Sequence, residues 1–230
     1  MSINTEDIKT PGTGVPKLIQ PGNTVCKITD VTLEPFKFKE GGLHIVLHLE
    51  GPDMGKDFEG FFIDKNDEKK GRHKGQVGRV NAGQWAFADG TTKSGIKVSR
   101  DQDILVFIKT LCNALGIMKW LTDQNNKYET VESLVGAFGA EKPFLNKPLE
   151  YCICGKEYLS KTGHTNYELF LPKFSKVGTP FSGAALGRKV IKFNADDHII
   201  KKKVENVSEF GTPEGTDIIS GPASADFELP

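Results

Sequence analysis

Cys152 and Cys154, in "YCICGKEYL", stand two residues apart, so on an extended strand both thiols share one face. Cys26, in "TVCKITDVTL", falls on a strand expected beside theirs, which can bring three thiols together and makes metal ligation the chemistry to consider. The spacing argues against it. Structural zinc favours a Cys-x-x-Cys knuckle, and small buried cysteines are ordinary core residues, so the expectation is core thiols and no metal. His44 and His48 lie four apart, on one face of a strand, but no carboxylate is patterned between them as a zinc hydrolase would need. They are expected as surface histidines facing a nucleic acid. "GTGVPK" and "GRHKGQVGRV" are glycine-rich but lack the Gly-Lys-Ser/Thr ending of a phosphate loop, and neither a nucleophile elbow nor a dinucleotide fingerprint occurs. The residues support no catalysis and call for no cofactor.

A different chemistry is patterned in "EPFKFKEGG", where Phe36 and Phe38 alternate with Lys37 and Lys39. Single-stranded nucleic acid asks for this alternation, a flat ring to stack on each base and a cation for each phosphate. Tyr158, Lys161, His164 and Tyr167 repeat the theme around "SKTGHT". "FEGFFID" adds Phe58, Phe61 and Phe62; adjacent Phe61 and Phe62 point to opposite faces of a strand, so only one, with Phe61 as the candidate, can face a ligand. Residues 65–100 are basic and glycine-rich, with Lys65, Lys69, Lys70, Arg72, Lys74 and Arg79 against Asp67 and Glu68, and carry Trp85 and Phe87.

The elements that must position these residues follow from periodicity. "NTVCKITDVTL" alternates with Cys26, Ile28 and, after a bulge, Val31 and Leu33 on one face. "LHIVLHLEG" alternates with Leu43, Ile45, Leu47 and Leu49 inward, and "KDFEGFFIDKN" is expected as strand three. A helix starts at "SRDQ", where Ser99 and Gln102 have capping-box spacing, runs through Ile104, Phe107, Ile108, Leu111 and Leu115, and ends at Gly116. Ile117 to Leu121 can add a turn, and "VESLVGAF" a second short helix. "PLEYCICGKEYL" and "NYELFLPKF" are the last two strands. Three strands, a helix and a hairpin predict a mostly β chain with one or two helices, an OB-fold-like five-stranded barrel with a long insertion between strand three and the helix. In that fold the ligand face is formed by strands two and three and by the one-two and four-five loops, where the aromatic and basic residues fall. The expected layout is a flexible arm at 1–20, with order beginning near Gly22, and a nucleic-acid-binding barrel at 21–182 that includes the 65–100 insertion. An appended hairpin at 183–204 and a disordered acidic tail at 205–230 follow.

Charge is split along the chain. Of 30 Asp and Glu, six (Glu205, Glu209, Glu214, Asp217, Asp226 and Glu228) lie in residues 205–230, which hold no Lys or Arg. The rest of the chain keeps all 30 Lys and Arg, an excess of about six positive charges suited to a polyanion. "MSINTEDIKT" lacks the apolar stretch of a leader and no run reaches membrane length, so the expected compartment is the cytoplasm, with free thiols and no membrane contact.

The succession "TVCKITDVTL", "LHIVLHLEG", "FEGFFID", "IKTLCNALG" and "YELFLPKF" with an acidic, apolar-ended tail resembles the single-stranded-DNA-binding proteins encoded by bacteriophages. The resemblance implies cooperative, sequence-independent coating of single-stranded DNA during replication and recombination, in the host cytoplasm. It also implies that the tail docks replication or recombination proteins through Asp226, Phe227, Glu228 and Leu229 in "SADFELP" while competing weakly for the DNA groove. A strand-annealing recombination protein is a close variant. A virion or other structural protein with a β-rich interaction module is the rival from another class, and homo-oligomer formation is left open.

Overall fold

A computed structural model describes residues 17–36, 39–52, 76–159, 165–173, 178–182 and 189–201. Five strands close a barrel: β2 (Gly22–Pro35), β3 (Leu43–Glu50), β4 (Gln76–Asn81), β7 (Pro148–Leu159) and β8 (Thr165–Phe170). β2, β3 and β4 form an antiparallel meander, β7 and β8 an antiparallel pair, and β2 pairs antiparallel with β7. Parallel pairing of Val80 with Leu169 and Asn81 with Phe170 joins β4 to β8 and closes the ring. Closure of this order is compatible with an OB-like fold. One long strand serves two neighbours: Gly22 to Lys27 pair with β7, Lys27 to Pro35 with β3, and a register shift between Ile28 and Asp30 bends the strand from one to the other. The bulge also moves the inward positions from Cys26 and Ile28 to Val31, as the β-branched pattern anticipates.

The third barrel strand is not the one expected. "KDFEGFFIDKN" lies outside the described residues, and β4 comes instead from "QVGRVN", within the stretch read as an excursion. Its inward positions are Gln76, Gly78 and Val80, which hide the apolar alternation. Gly78 has a packing reason, since a Cβ there would meet Leu169 Cδ1 at 3.1 Å and Ile19 Cδ1 at 3.2 Å. The Ile19 contact corrects the expected start of order. A two-residue strand β1 (Lys17–Leu18) runs parallel to β4, and Ile19 is fully buried in the core. Between β4 and the first helix the chain forms a small hairpin, β5 (Gly90–Thr91) with β6 (Lys97–Val98).

Three helices fill the connection from β6 to β7. α1 (Arg100–Ala114) begins where Ser99 accepts the Gln102 N–H, carries Asp101 and Asp103 in its first turn, and ends before Gly116 at φ 68°, as its capping pattern predicts. Its Ile104, Phe107, Ile108, Leu111 and Cys112 join the inward strand residues in one core. α2 (Met118–Asp123) supplies the extra turn, and α3 (Val131–Glu141) the second short helix, capped by Thr130.

α3 approaches β2 so closely that a Cβ on Gly139 would lie 2.6 Å from the Val31 carbonyl oxygen, whereas one on Gly136 would meet nothing within 4 Å. Gly136→Ala should therefore stabilise the fold by about 0.5–1 kcal/mol through helix propensity. Gly139→Ala should lose that gain and destabilise by about 1–3 kcal/mol, because strand backbone has no room to yield. Urea denaturation of the two variants checks the sign difference; equal shifts would refute the close approach.

After β8 the chain returns across β7. Of the stretch expected as a hairpin, the described residues 189–201 do not pair with one another as strands: Asn194 caps a single turn, α4 (Ala195–His198), and β9 (Ile199–Lys201) adds parallel to Gly155, Lys156 and Glu157 of β7. Asn23 fixes the crossing, its side chain donating to the Ile191 carbonyl and accepting the Phe193 N–H. Residues 1–16 and the tail from 202 onward lie outside the described residues.

Candidate nucleic-acid interface

Alternation on β3 buries Ile45, Leu47 and Leu49 in the barrel and turns His44 and His48 to the outer face. Register then decides their neighbours. Glu34 stands opposite His44, Thr32 opposite Val46, and Arg79 of β4 opposite His48. Arg79 forms an ion pair with Glu34, and the Thr32 hydroxyl lies 3.3 Å from His48 Nε2. The two histidines share a face, as expected, but have separate partners: Phe36 packs edge-on to His44 with ring centroids 4.9 Å apart.

Phe36 is placed by the turn that follows β2. Its N–H donates to the Gly42 carbonyl and its own carbonyl accepts from Lys39, with Gly41 at φ 68°. Arg100 holds this turn against the helices, donating to the Gly41 carbonyl and pairing with Glu132 of α3. Beyond β4, Trp85 is 51% exposed, and the Lys156 ammonium from β7 lies 5.7 Å from its ring centroid. Lys156 also approaches Glu168 of β8, its register partner, at 3.9 Å.

His44 connects the two sides electrostatically. Burial pushes its pKa below the ordinary histidine value, Glu168 and Glu34 oppose that shift, and Lys156 reinforces it. A ring held neutral in this way is an aromatic surface rather than a cation near neutral pH. One outer face thus carries Phe36, His44 and Trp85 as rings and Arg79 and Lys156 as cations, with Glu34 and Glu168 among them.

Of the residues singled out in the sequence, Phe36, Lys39, His44, His48, Arg79, Trp85 and Tyr167 are described; Lys39 is exposed in its turn and Tyr167 is 42% exposed on β8. Tyr158 is placed only as a strand residue of β7, opposite Asn166. Lys37, Phe38, Phe61, Lys69, Lys70, Arg72, Lys74, Lys161, Asp226, Phe227, Glu228 and Leu229 lie outside the described residues. Lys156, Glu34 and Glu168 were missed. Lys156 and Glu34 carried a signal, each standing two residues before an aromatic candidate, Tyr158 and Phe36, and so on the same strand face.

The three thiols on neighbouring strands do not form one cluster. Cys26 points into the barrel core, where burial pushes its thiol up to about 12. On β7 it is Leu149, Tyr151 and Ile153 that join this core; Cys152 and Cys154 are fully buried but outside it. They lie beneath the returning chain, where the Cys152 N–H donates to the Pro180 carbonyl and Gly155 pairs with Ile199. A hydrogen bond between the two thiols eases ionisation of Cys152 and, with burial, raises Cys154 well above the usual thiol range. Cys26, Cys152 and Cys154 are thus buried thiols, as expected, but the β7 pair is buried on the outer side of the strand, beneath the returning chain, and not in the cluster that holds Cys26.

No helix among the described residues is long and apolar enough to cross a membrane. No protein-family model, no curated protein and no solved structure matches the chain, so it is placed by its architecture alone, a mostly β protein with a closed five-stranded barrel.

Proposed function

We propose that this protein binds single-stranded DNA without sequence preference and protects it during replication and recombination, as the phage proteins it resembles do. The observation that carries the reading is the outer face of β3 and its surroundings, where Phe36, His44 and exposed Trp85 are interleaved with Arg79 and Lys156. Rings of this kind accept any base, since every base has a π-face, and cations beside them meet the phosphates. The protein acts by binding and not by catalysis, in the host cytoplasm, and the acidic tail recruits replication or recombination proteins through Asp226, Phe227, Glu228 and Leu229.

Titration of fluorescent poly-dT at several salt concentrations tests this. Binding should be tight at low salt, prefer the single strand to duplex, and weaken log-linearly with a slope of about −0.7 per phosphate contacted. Absence of binding at low salt ends the proposal. A second reading, a β-rich interaction module whose rings bury against a protein partner, is favoured by Glu34 and Glu168, acids on the same face that a phosphate backbone would meet with repulsion. It calls for association that hardly responds to salt.

A further inference from the structure

The third thiol that the sequence offers, Cys26, turns into the barrel core, and the returning chain brings a different third ligand to Cys152 and Cys154. The two sulfurs and one imidazole nitrogen of His198 all lie within 4.8 Å of one another. Ligand atoms around a tetrahedral zinc, at about 2.3 Å for sulfur and about 2.0–2.1 Å for nitrogen, stand somewhat closer than this, so small side-chain rotations suffice.

We propose that Cys152, Cys154 and His198 form a site for a zinc-class divalent cation that pins the returning chain to the barrel. Two thiolates and an imidazole are a soft donor set that selects such an ion over magnesium or calcium. Three protein ligands leave the fourth position to water, which reaches the site from the side of half-buried His198. Long-range order already places the ligands: β9 pairs with β7 directly after His198, and Asn23, the register partner of Cys152, holds Ile191 and Phe193. The ion neutralises the two thiolates that form when the hydrogen-bonded thiol pair gives up its protons to solvent.

His198 Nδ1 accepts the Asn194 N–H at 2.9 Å, which places the proton of the neutral ring on Nε2. Ligation through either nitrogen costs that bond: through Nδ1 directly, through Nε2 because the remaining proton then sits on Nδ1. Occupancy therefore exchanges the Asn194 N–H bond to the ring for a metal bond across to β7, while the Asn194 side chain still caps the turn.

The full-length protein, purified with chelator and reductant, is titrated with Co²⁺ as the probe. One equivalent should bind with a near-ultraviolet thiolate-to-cobalt charge-transfer band, and Zn²⁺ should bleach it. Cys152→Ser and Cys154→Ser should each diminish the band, and His198→Gln should weaken Zn²⁺ binding roughly tenfold or more. Should the serine variants fold poorly, His198→Gln decides alone, since it alters a half-buried residue outside the barrel. Because the substitution also removes the acceptor of the Asn194 N–H, each protein is referred to its own melting temperature in chelator, and Zn²⁺ should raise that of the unaltered protein more than that of the variant. No charge-transfer band at one equivalent, or an equal Zn²⁺ response in His198→Gln, overturns the site.

Discussion

Phe138→Ala should cost about 3–5 kcal/mol of folding free energy, the range for deleting a large ring from a packed core. The side chain is fully buried on α3, with Trp120 and Phe144 each at 5.0 Å between ring centroids. Val131, Leu134, Val135 and Phe138 make the buried stripe of α3 at helical intervals, and the ring is the largest side chain in it. Collapse into the space is blocked on two sides. Trp120 is tethered through its Nε1–H to Glu141 at 2.6 Å, and Gly139 already lies against the β2 backbone. Urea unfolding followed by circular dichroism should show the midpoint falling at constant slope. Leu145→Ala, at a nearby leucine that is 48% exposed, should change stability by less than about 0.5 kcal/mol. A loss below about 1 kcal/mol for Phe138→Ala would mean that α3 opens independently of the barrel.

The sequence reveals elements best where one face is buried and the other wet. β3 shows a clean alternation, and the bulge in β2 is visible because Cys26 and Ile28 fall out of phase with Val31 and Leu33. α1 announces itself through Ser99 and Gln102. β4 fails for a local reason with a distant cause: Gly78 makes room for Ile19 and Leu169, and buried Gln76 donates its amide to the Pro52 carbonyl. Those demands come from chain far away in sequence, and a nearby apolar run looked more like a strand. β7 is a different failure. Period two correctly puts Cys152 and Cys154 on one face, but the barrel covers one side and the returning chain the other, and the centre of the strand, buried from Tyr151 to Gly155, has no charged residue to tell the two sides apart. The candidate face was legible to the same degree: its rings stood out, while Glu168 comes to it only through its pairing with Lys156, which periodicity cannot supply.

Trp85→Ala should weaken single-stranded DNA binding by about 1–3 kcal/mol, and Phe36→Ala should add a loss of similar size, while duplex binding stays weak throughout. The two rings differ in what else they do. Trp85 is 51% exposed and its ring is approached by the Lys156 ammonium, so its removal should cost about 0.5–1 kcal/mol of stability, well below the cost of a buried ring. Phe36 packs edge-on to His44, and its removal should also cost part of that contact, roughly 0.5–1.5 kcal/mol. Removing Trp85 leaves the Lys156 charge in place, so the salt slope should remain while affinity drops, the signature of a lost stack rather than a lost phosphate contact. The chain's two tryptophans provide an internal check. Trp120 is packed against the core and bonded to Glu141, so quenching of tryptophan emission by poly-dT must arise at Trp85. Trp120→Phe should keep the quenching and Trp85→Phe should abolish it. Unchanged affinity in both alanine variants, with quenching that survives Trp85→Phe, would remove this face from DNA binding and leave the salt-insensitive protein interface as the reading to pursue.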